Sequence, residues 1–228
     1  MNFFITLVNK GINILKYPIA VLALLLSVEL FHILYSVVIS IYTNPLFYKY
    51  FFIGMGIYLL FWLIFFNKNS YWFLTVEHEL THIIFALLTF HKVIDFQASS
   101  WRGGYTMFLG NGNWLIFIAP YFFPTFSMII ILFIYFSQPQ FYPLLVALLG
   151  YSMVYHVHST YIETSFHQPD IQEVGLPFAF MFLPSANLFA MIGILSAIPN
   201  DGIDFFGIIQ YLYDYGIGLF FLVYNMFF

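Results

Sequence analysis

The sequence predicts an all-α polytopic membrane protein of about six or seven transmembrane helices, with a short β-hairpin or polar loop between two of them. Three observations predict it. Hydrophobic residues fill 62% of the 228 positions and charged residues only 7%, whereas a soluble domain is about 25% charged and needs that polarity to cover itself. Aromatic residues reach 24%, which suits lipid-facing surfaces and interfacial belts. Apolar runs of about 20 residues recur along the chain, the length that crosses hydrocarbon as a helix because no backbone polar group can go unpaired there.

The same composition excludes other classes. Six Lys plus Arg against ten Asp plus Glu give a net charge of −4, so no basic surface attracts nucleic acid and no polybasic tail holds anionic lipid. The absence of cysteine removes disulfides, thiolate metal ligands and a cysteine nucleophile. Any metal must therefore bind through histidine and carboxylate.

Seven candidate spans follow in order, at 18–42, 47–66, 70–90, 114–136, 141–161, 176–198 and 203–228. The first is longer than the core of an ordinary signal peptide and no small-residue cleavage site follows it, so it is expected to be a retained anchor. Lys10, Lys16 and Lys68 fall on one side of a seven-span arrangement and Lys49, Lys92 and Arg102 on the other. Three against three assigns no orientation by the positive-inside rule. The fourth candidate contains Pro120 and Pro124, which remove backbone donors and mark it as the span expected to be broken or re-entrant. Between the third and fourth candidates, residues 92–113 carry Asp95, Gln97, Ser99, Ser100, Arg102, four glycines and two asparagines. Loose alternation at 93–98 and 105–109 suggests a β-hairpin turning near Gly103 and Gly104, with an ordinary polar loop as the alternative.

The third candidate span contains His78-Glu79-Leu80-Thr81-His82. Residues four apart on a helix lie about 40° apart and one turn up, so His78 and His82 project side by side and can bind one metal ion. Glu79 is offset by about 100°, beside the ion rather than on it. There it can take a proton from water that zinc has acidified to a pKa of about 7. With seven His and five Glu in the chain, the number of such His-Glu-x-x-His matches expected by chance is roughly 0.005. Ionisable residues inside a span face the bundle interior with a partner, and a divalent cation satisfies all three.

Catalytic zinc commonly has three protein ligands and one open position. A third ligand is expected within 155–173, which holds His156, His158, Glu163, His167, Asp170 and Glu173. Asp170 is the choice, although the residues alone do not separate it from His156 or His167.

A His-Glu-x-x-His motif on a transmembrane helix, a glycine-containing polar hairpin, an apolar helix and an aspartate opening a later helix together resemble the site-2 protease family of intramembrane zinc metalloproteases. The resemblance runs over roughly 70–198. It implies that His78, His82 and Asp170, in Gln168-Pro169-Asp170-Ile171, hold one Zn2+ ion and that Glu79 is the general base. The Leu-Asp-Gly usual around that aspartate is missing, Thr81 stands where a glycine is frequent, and no peptide-binding regulatory domain is inserted. On this basis residues 1–228 form a single membrane-embedded domain, with accessory spans at 1–68, a metalloprotease-like core at 69–198 and a last span at 199–228. The expected activity is hydrolysis of peptide bonds in transmembrane or membrane-associated proteins, within a multi-pass integral membrane protein whose partners are lipid and protein substrate.

Other polar residues have plainer expectations. Glu29 and His32, three apart on the first span, are expected to pair with each other or a neighbouring helix. His156, His158 and Glu163 either shape water access or bind a second ion, or form a polar helix end. Asp201, Asp204 and Asp214 are expected near a helix N-terminus or the interface. Asn111, Asn113, Asn187 and His156 are candidate oxyanion donors. Two rival functions are a non-catalytic metal-binding membrane scaffold, and an ion or proton transporter using the intramembrane His and Glu residues.

Overall fold

A computed structural model describes residues 3–65, 71–99, 103–198 and 204–227. Lys68, Arg102 and Asp201 lie outside these described residues. The chain is mostly helical. Its elements are α1 (Phe3–Ile14), α2 (Lys16–Thr43), α3 (Lys49–Phe65), α4 (Tyr71–Leu88), β1 (Val93–Ser99), β2 (Gly103–Phe108), α5 (Trp114–Ile118), α6 (Thr125–Phe136), α7 (Tyr142–Glu163), α8 (Pro169–Val174), α9 (Leu176–Ser196) and α10 (Phe205–Phe227).

Each expected span coincides with a helix or a helix pair, and the helix lengths sort them. Phe3–Thr43 and Leu176–Ser196 are long and apolar enough to cross a membrane, and the bent pair Trp114–Tyr121 and Thr125–Phe136 makes a third if taken as one span. Lys49–Ile64 is apolar but shorter. Among the described residues, length and composition thus give two or three crossings, and the expected six or seven are not confirmed by that measure. The reason is visible in α4 and α7, whose Glu77, His78, Glu79 and His82, and His156, His158 and Glu163, lower the apolarity of helices that otherwise have the length to cross.

The fourth candidate is broken as its prolines predict. After α5 a single 3-10 turn, Ala119–Tyr121, leads into α6 across an 83° bend. Pro120 enters that turn and Pro124 precedes α6, so neither position supplies a donor to a continuous ladder.

The polar stretch after α4 is an antiparallel hairpin. Val93 lies opposite Phe108, Phe96 opposite Thr106 and Ala98 opposite Gly104, with an irregularity between Val93 and Asp95. The strands meet beside Gly103 and Gly104 as expected: the two glycines open β2, paired with Ser99 and Ala98, and Gly103 has a φ of 72°. Alternation along the strand places Gly104 and Thr106 on one face, and that face lies against α4, where Thr106 reaches Glu79.

One helix precedes the expected first span. α1 carries Asn9, which is buried and receives a hydrogen bond from the Asn113 amide at 2.9 Å. Trp114 donates its indole N–H to the Ile12 carbonyl at 2.6 Å. α1 thus braces the base of the hairpin where it runs into α5.

Elsewhere packing is apolar and close. α3 and α7 cross at Gly54 and Gly150, where an added Cβ would run into the backbone carbonyls of Ala147 and Phe51 respectively. Small residues let two helices approach to dispersion distance where lipid offers no hydrophobic drive between them. One core joins Val37, Phe51, Leu149 and Ile194 from α2, α3, α7 and α9. A second joins Trp114, Tyr121, Ile171, Val174 and Phe178 around α5, α8 and α9, and it fixes the short α8 that carries Asp170.

Candidate metal centre

His78 and His82 sit one turn apart on α4 with ring centroids 4.8 Å from each other. Each ring is oriented by what its Nδ1 faces. His82 Nδ1 lies 2.9 Å from the Ile116 carbonyl in α5, an acceptor only, so that nitrogen carries the proton and donates it. His78 Nδ1 lies 3.3 Å from Glu163 Oε2 at the end of α7, again an acceptor. Both imidazoles, if neutral, then present bare Nε2 lone pairs, and both lone pairs point to the same place. His78 Nε2 is 3.4 Å and His82 Nε2 3.3 Å from Asp170 Oδ2.

Three acceptor atoms converge only with positive charge between them, either protons on the imidazoles or a bound cation. His78, His82 and Asp170 offer one ligand atom each, all within 4.8 Å of one another. Two donors bound at about 2.0–2.2 Å to one tetrahedral ion stand about 3.3–3.6 Å apart, which the two Nε2–Oδ2 separations match. The donor set also fits, since two imidazoles and a carboxylate suit zinc, and each Nδ1 has the outer partner that metal-bound histidines ordinarily have. Among the described residues only these three form such a group, which leaves a fourth position of a tetrahedral site without a protein ligand.

Asp170 is also a hydrogen-bond acceptor from Tyr121, whose hydroxyl lies 3.3 Å from Oδ2. The Tyr121 ring meets His78 edge-on at 5.2 Å between centroids. Burial raises the Asp170 carboxyl, but with no cation bound the His78 and His82 rings can carry their protons toward it, and those hydrogen bonds hold the group well below the usual carboxylate range. Asp170 is thus an anion at neutral pH.

Glu79 is held from the hairpin. Thr106 donates its hydroxyl to Glu79 Oε2 at 2.8 Å. A Cβ added at Gly104 would stand 2.5 Å from Glu79 Cγ and 2.7 Å from Oε1, so only glycine leaves room for the carboxylate. His78, Glu79, His82, Glu163 and Asp170 together line one cavity of about 440 Å³ with Gly103, Gly104, Thr106 and Phe117.

The opposite face of α4 fastens the broken span. Glu77 Oε1 accepts the Phe126 backbone N–H at 3.2 Å, in the first turn of α6, where the helix has no internal partner for it. Thr81 and Thr125 hydroxyls meet at 2.5 Å. The threonine that replaces the frequent glycine therefore ties α4 to the start of α6.

The remaining candidates separate. His167 is exposed and pairs locally with Ser165. His156 is 3% exposed and its Nε2 has no partner. Neither joins His78 and His82 in a ligand group among the described residues. Asn113 is committed as the N-cap of α5, its side chain accepting from Leu115 and Ile116. Asn187 donates to the carbonyls of Tyr121 and Leu183, and the Asn111 carbonyl accepts from Asn9. Glu29 lies 3.9 Å from His32 and accepts the Tyr211 hydroxyl at 2.7 Å. Asp204 precedes α10 and Asp214 accepts from Gln210 within it.

Thr106, Tyr121 and the Ile116 carbonyl were not singled out by the sequence, and Gly104 was read only as part of the hairpin turn. Only Gly104 and Thr106 carried a usable signal, the two-residue spacing that puts them on one strand face. Glu163 stood out in sequence as a polar residue for water or a second ion, and the structure sets it against His78 instead.

Residues 51–162 match the family described as Peptidase M50B-like. No curated protein and no solved structure matches the chain. The matched stretch takes in α4 with His78, Glu79 and His82, the hairpin and the broken span, and it ends before Glu163 and Asp170. This match over residues 51–162 is consistent with the resemblance to the site-2 protease family.

Proposed function

We propose that the chain is an intramembrane zinc metalloendopeptidase that hydrolyses peptide bonds of membrane-associated proteins, with His78, His82 and Asp170 as metal ligands and Glu79 as general base. The observation that carries this reading is the convergence of two Nε2 lone pairs on Asp170 Oδ2 at 3.3–3.4 Å. Zinc bound there supplies Lewis acidity, polarising a carbonyl and acidifying water to a pKa of about 7.

The chain's own residues do the rest. The Glu79 carboxylate takes a proton from the attacking water and hands it to the leaving amine, the two halves of general acid–base catalysis. Thr106 fixes one of its oxygens, so Oε1 is the one available for that proton. Tyr121 holds Asp170 in place through its hydroxyl. A peptide bond inside a transmembrane helix is shielded by its own hydrogen bonds, so the substrate must unwind locally. β2 borders the cavity through Gly103–Thr106 and, among the described residues, has β1 as its only neighbour in the sheet. Its outer edge offers backbone partners to an unwound substrate strand, which satisfies groups that lipid cannot. The three-ligand set, with one position of a tetrahedral site left to water, favours catalysis over a purely structural metal site.

Proteolysis by the purified chain in lipid, tested on transmembrane protein substrates, checks this reading. Wild type cleaves, and Glu79→Gln retains zinc but does not cleave. A Glu79→Gln chain as active as wild type would remove Glu79 from the chemistry.

A further inference from the structure

The two metal-facing imidazoles are not equivalent. His82 is oriented by a neutral backbone carbonyl, Ile116, at 2.9 Å. His78 is oriented by a carboxylate, Glu163 Oε2, at 3.3 Å. Both side chains of that second pair are largely removed from solvent, with 12% and 16% of their surface exposed. Glu163 is the last residue of α7, and it approaches the ring nitrogen that faces away from Asp170. It lies on the far side of His78 from the convergent acceptors and is not among the group of three that can share an ion.

We infer that Glu163 is a positioning residue for the metal centre: it accepts the His78 Nδ1–H, fixes the ring tautomer and strengthens His78 as a ligand. This inference rests on the metalloprotease reading and deepens it. A carboxylate behind a metal-bound histidine orients the ring, makes the nitrogen on the metal side more basic, and commonly governs metal affinity by 10- to 100-fold. Glu163 also places a carboxylate against a ligand of the cation without itself being one. The place of Glu163 at the end of α7 also ties the metal site to the helix that packs closely on α3 through Gly150.

The test is zinc affinity of the full-length chain in detergent or nanodiscs, measured by competition with a chromogenic chelator, with the visible spectrum of the cobalt(II)-substituted chain as a second readout. Glu163→Ala is expected to weaken zinc binding by about 10- to 100-fold and to shift the cobalt spectrum, because His78 loses its fixed orientation. Glu163→Gln keeps an acceptor oxygen without the charge and is expected to recover part of the affinity and the wild-type band shape. The Gln variant is close to isosteric and supplies the comparison should Glu163→Ala fold poorly. Wild-type affinity and spectrum in both variants would overturn the inference while leaving the metal site intact. A wild-type chain that binds neither zinc nor cobalt would overturn it together with the metalloprotease reading.

Discussion

The two sides of this bundle are held by different forces. Around α4, nearly every polar side chain reaches across to another element. His82 reaches α5, Glu77 reaches α6, Thr106 of β2 reaches Glu79, and His78 faces both α7 and α8. On the side formed by α2, α9 and α10 the contacts are mainly apolar, as in the cluster of Leu30, Ile192 and Leu212. The few polar ties there include Ser185 to the Ala23 carbonyl and Tyr211 to Glu29. Dispersion is non-directional, so packing of that kind places a helix only through the collective fit of many side chains. Directed hydrogen bonds hold a side chain to a fraction of an ångström, which is the precision a catalytic site needs. Substitutions near α4 should therefore change chemistry with little loss of fold, and substitutions on the other side the reverse.

The largest expected effect is at Glu79. Replacement by Gln should lower peptide cleavage by about 10²- to 10⁴-fold, the range of a lost general base, with zinc content unchanged by elemental analysis. Next is Gly104→Ala, whose Cβ would displace the Glu79 carboxylate. Cleavage should fall by about 10- to 100-fold, the scale of a misplaced catalytic group, while the melting temperature in detergent stays near wild type. Thr106→Val removes the 2.8 Å donor to Glu79 and should cost roughly 10-fold in kcat, read as kcat and KM from initial rates. Smallest is Tyr211→Phe, which deletes the hydroxyl bonded to Glu29. Stability should fall by about 1 kcal/mol or less and cleavage should stay within about twofold, measured by thermal unfolding and by rate. A large catalytic loss in Tyr211→Phe would erase the distinction between the two sides.

How much of this was legible in the sequence follows from the range of each interaction. His78 and His82 are one helical turn apart, so the helix period alone placed them together. The break at Ala119–Tyr121 was announced by Pro120 and Pro124, because a missing N–H is a local property. The hairpin and its turn near Gly103 and Gly104 were legible as polarity and glycine between apolar runs, but not that the approach of Glu79 requires glycine at 104. Asp170 converges with the motif across 92 residues, and no periodicity spans that distance; the family resemblance, not spacing, separated it from His156 and His167. Glu163, Tyr121 and Thr106 meet the site the same way, through tertiary contacts that a single sequence does not encode locally. α1 escaped notice because it is 12 residues long, too short to read as a span, and its tie to the hairpin runs through Asn9, a residue usually solvated.

Zinc stoichiometry of the purified chain, measured for wild type and for His78→Ala, His82→Ala and Asp170→Ala one at a time, tests the centre of this proposal most directly. The expected result is close to one zinc per wild-type chain and strongly reduced zinc in each variant, with His167→Ala retaining the wild-type amount. Wild-type chains without zinc, or zinc retained in all three variants, would contradict it.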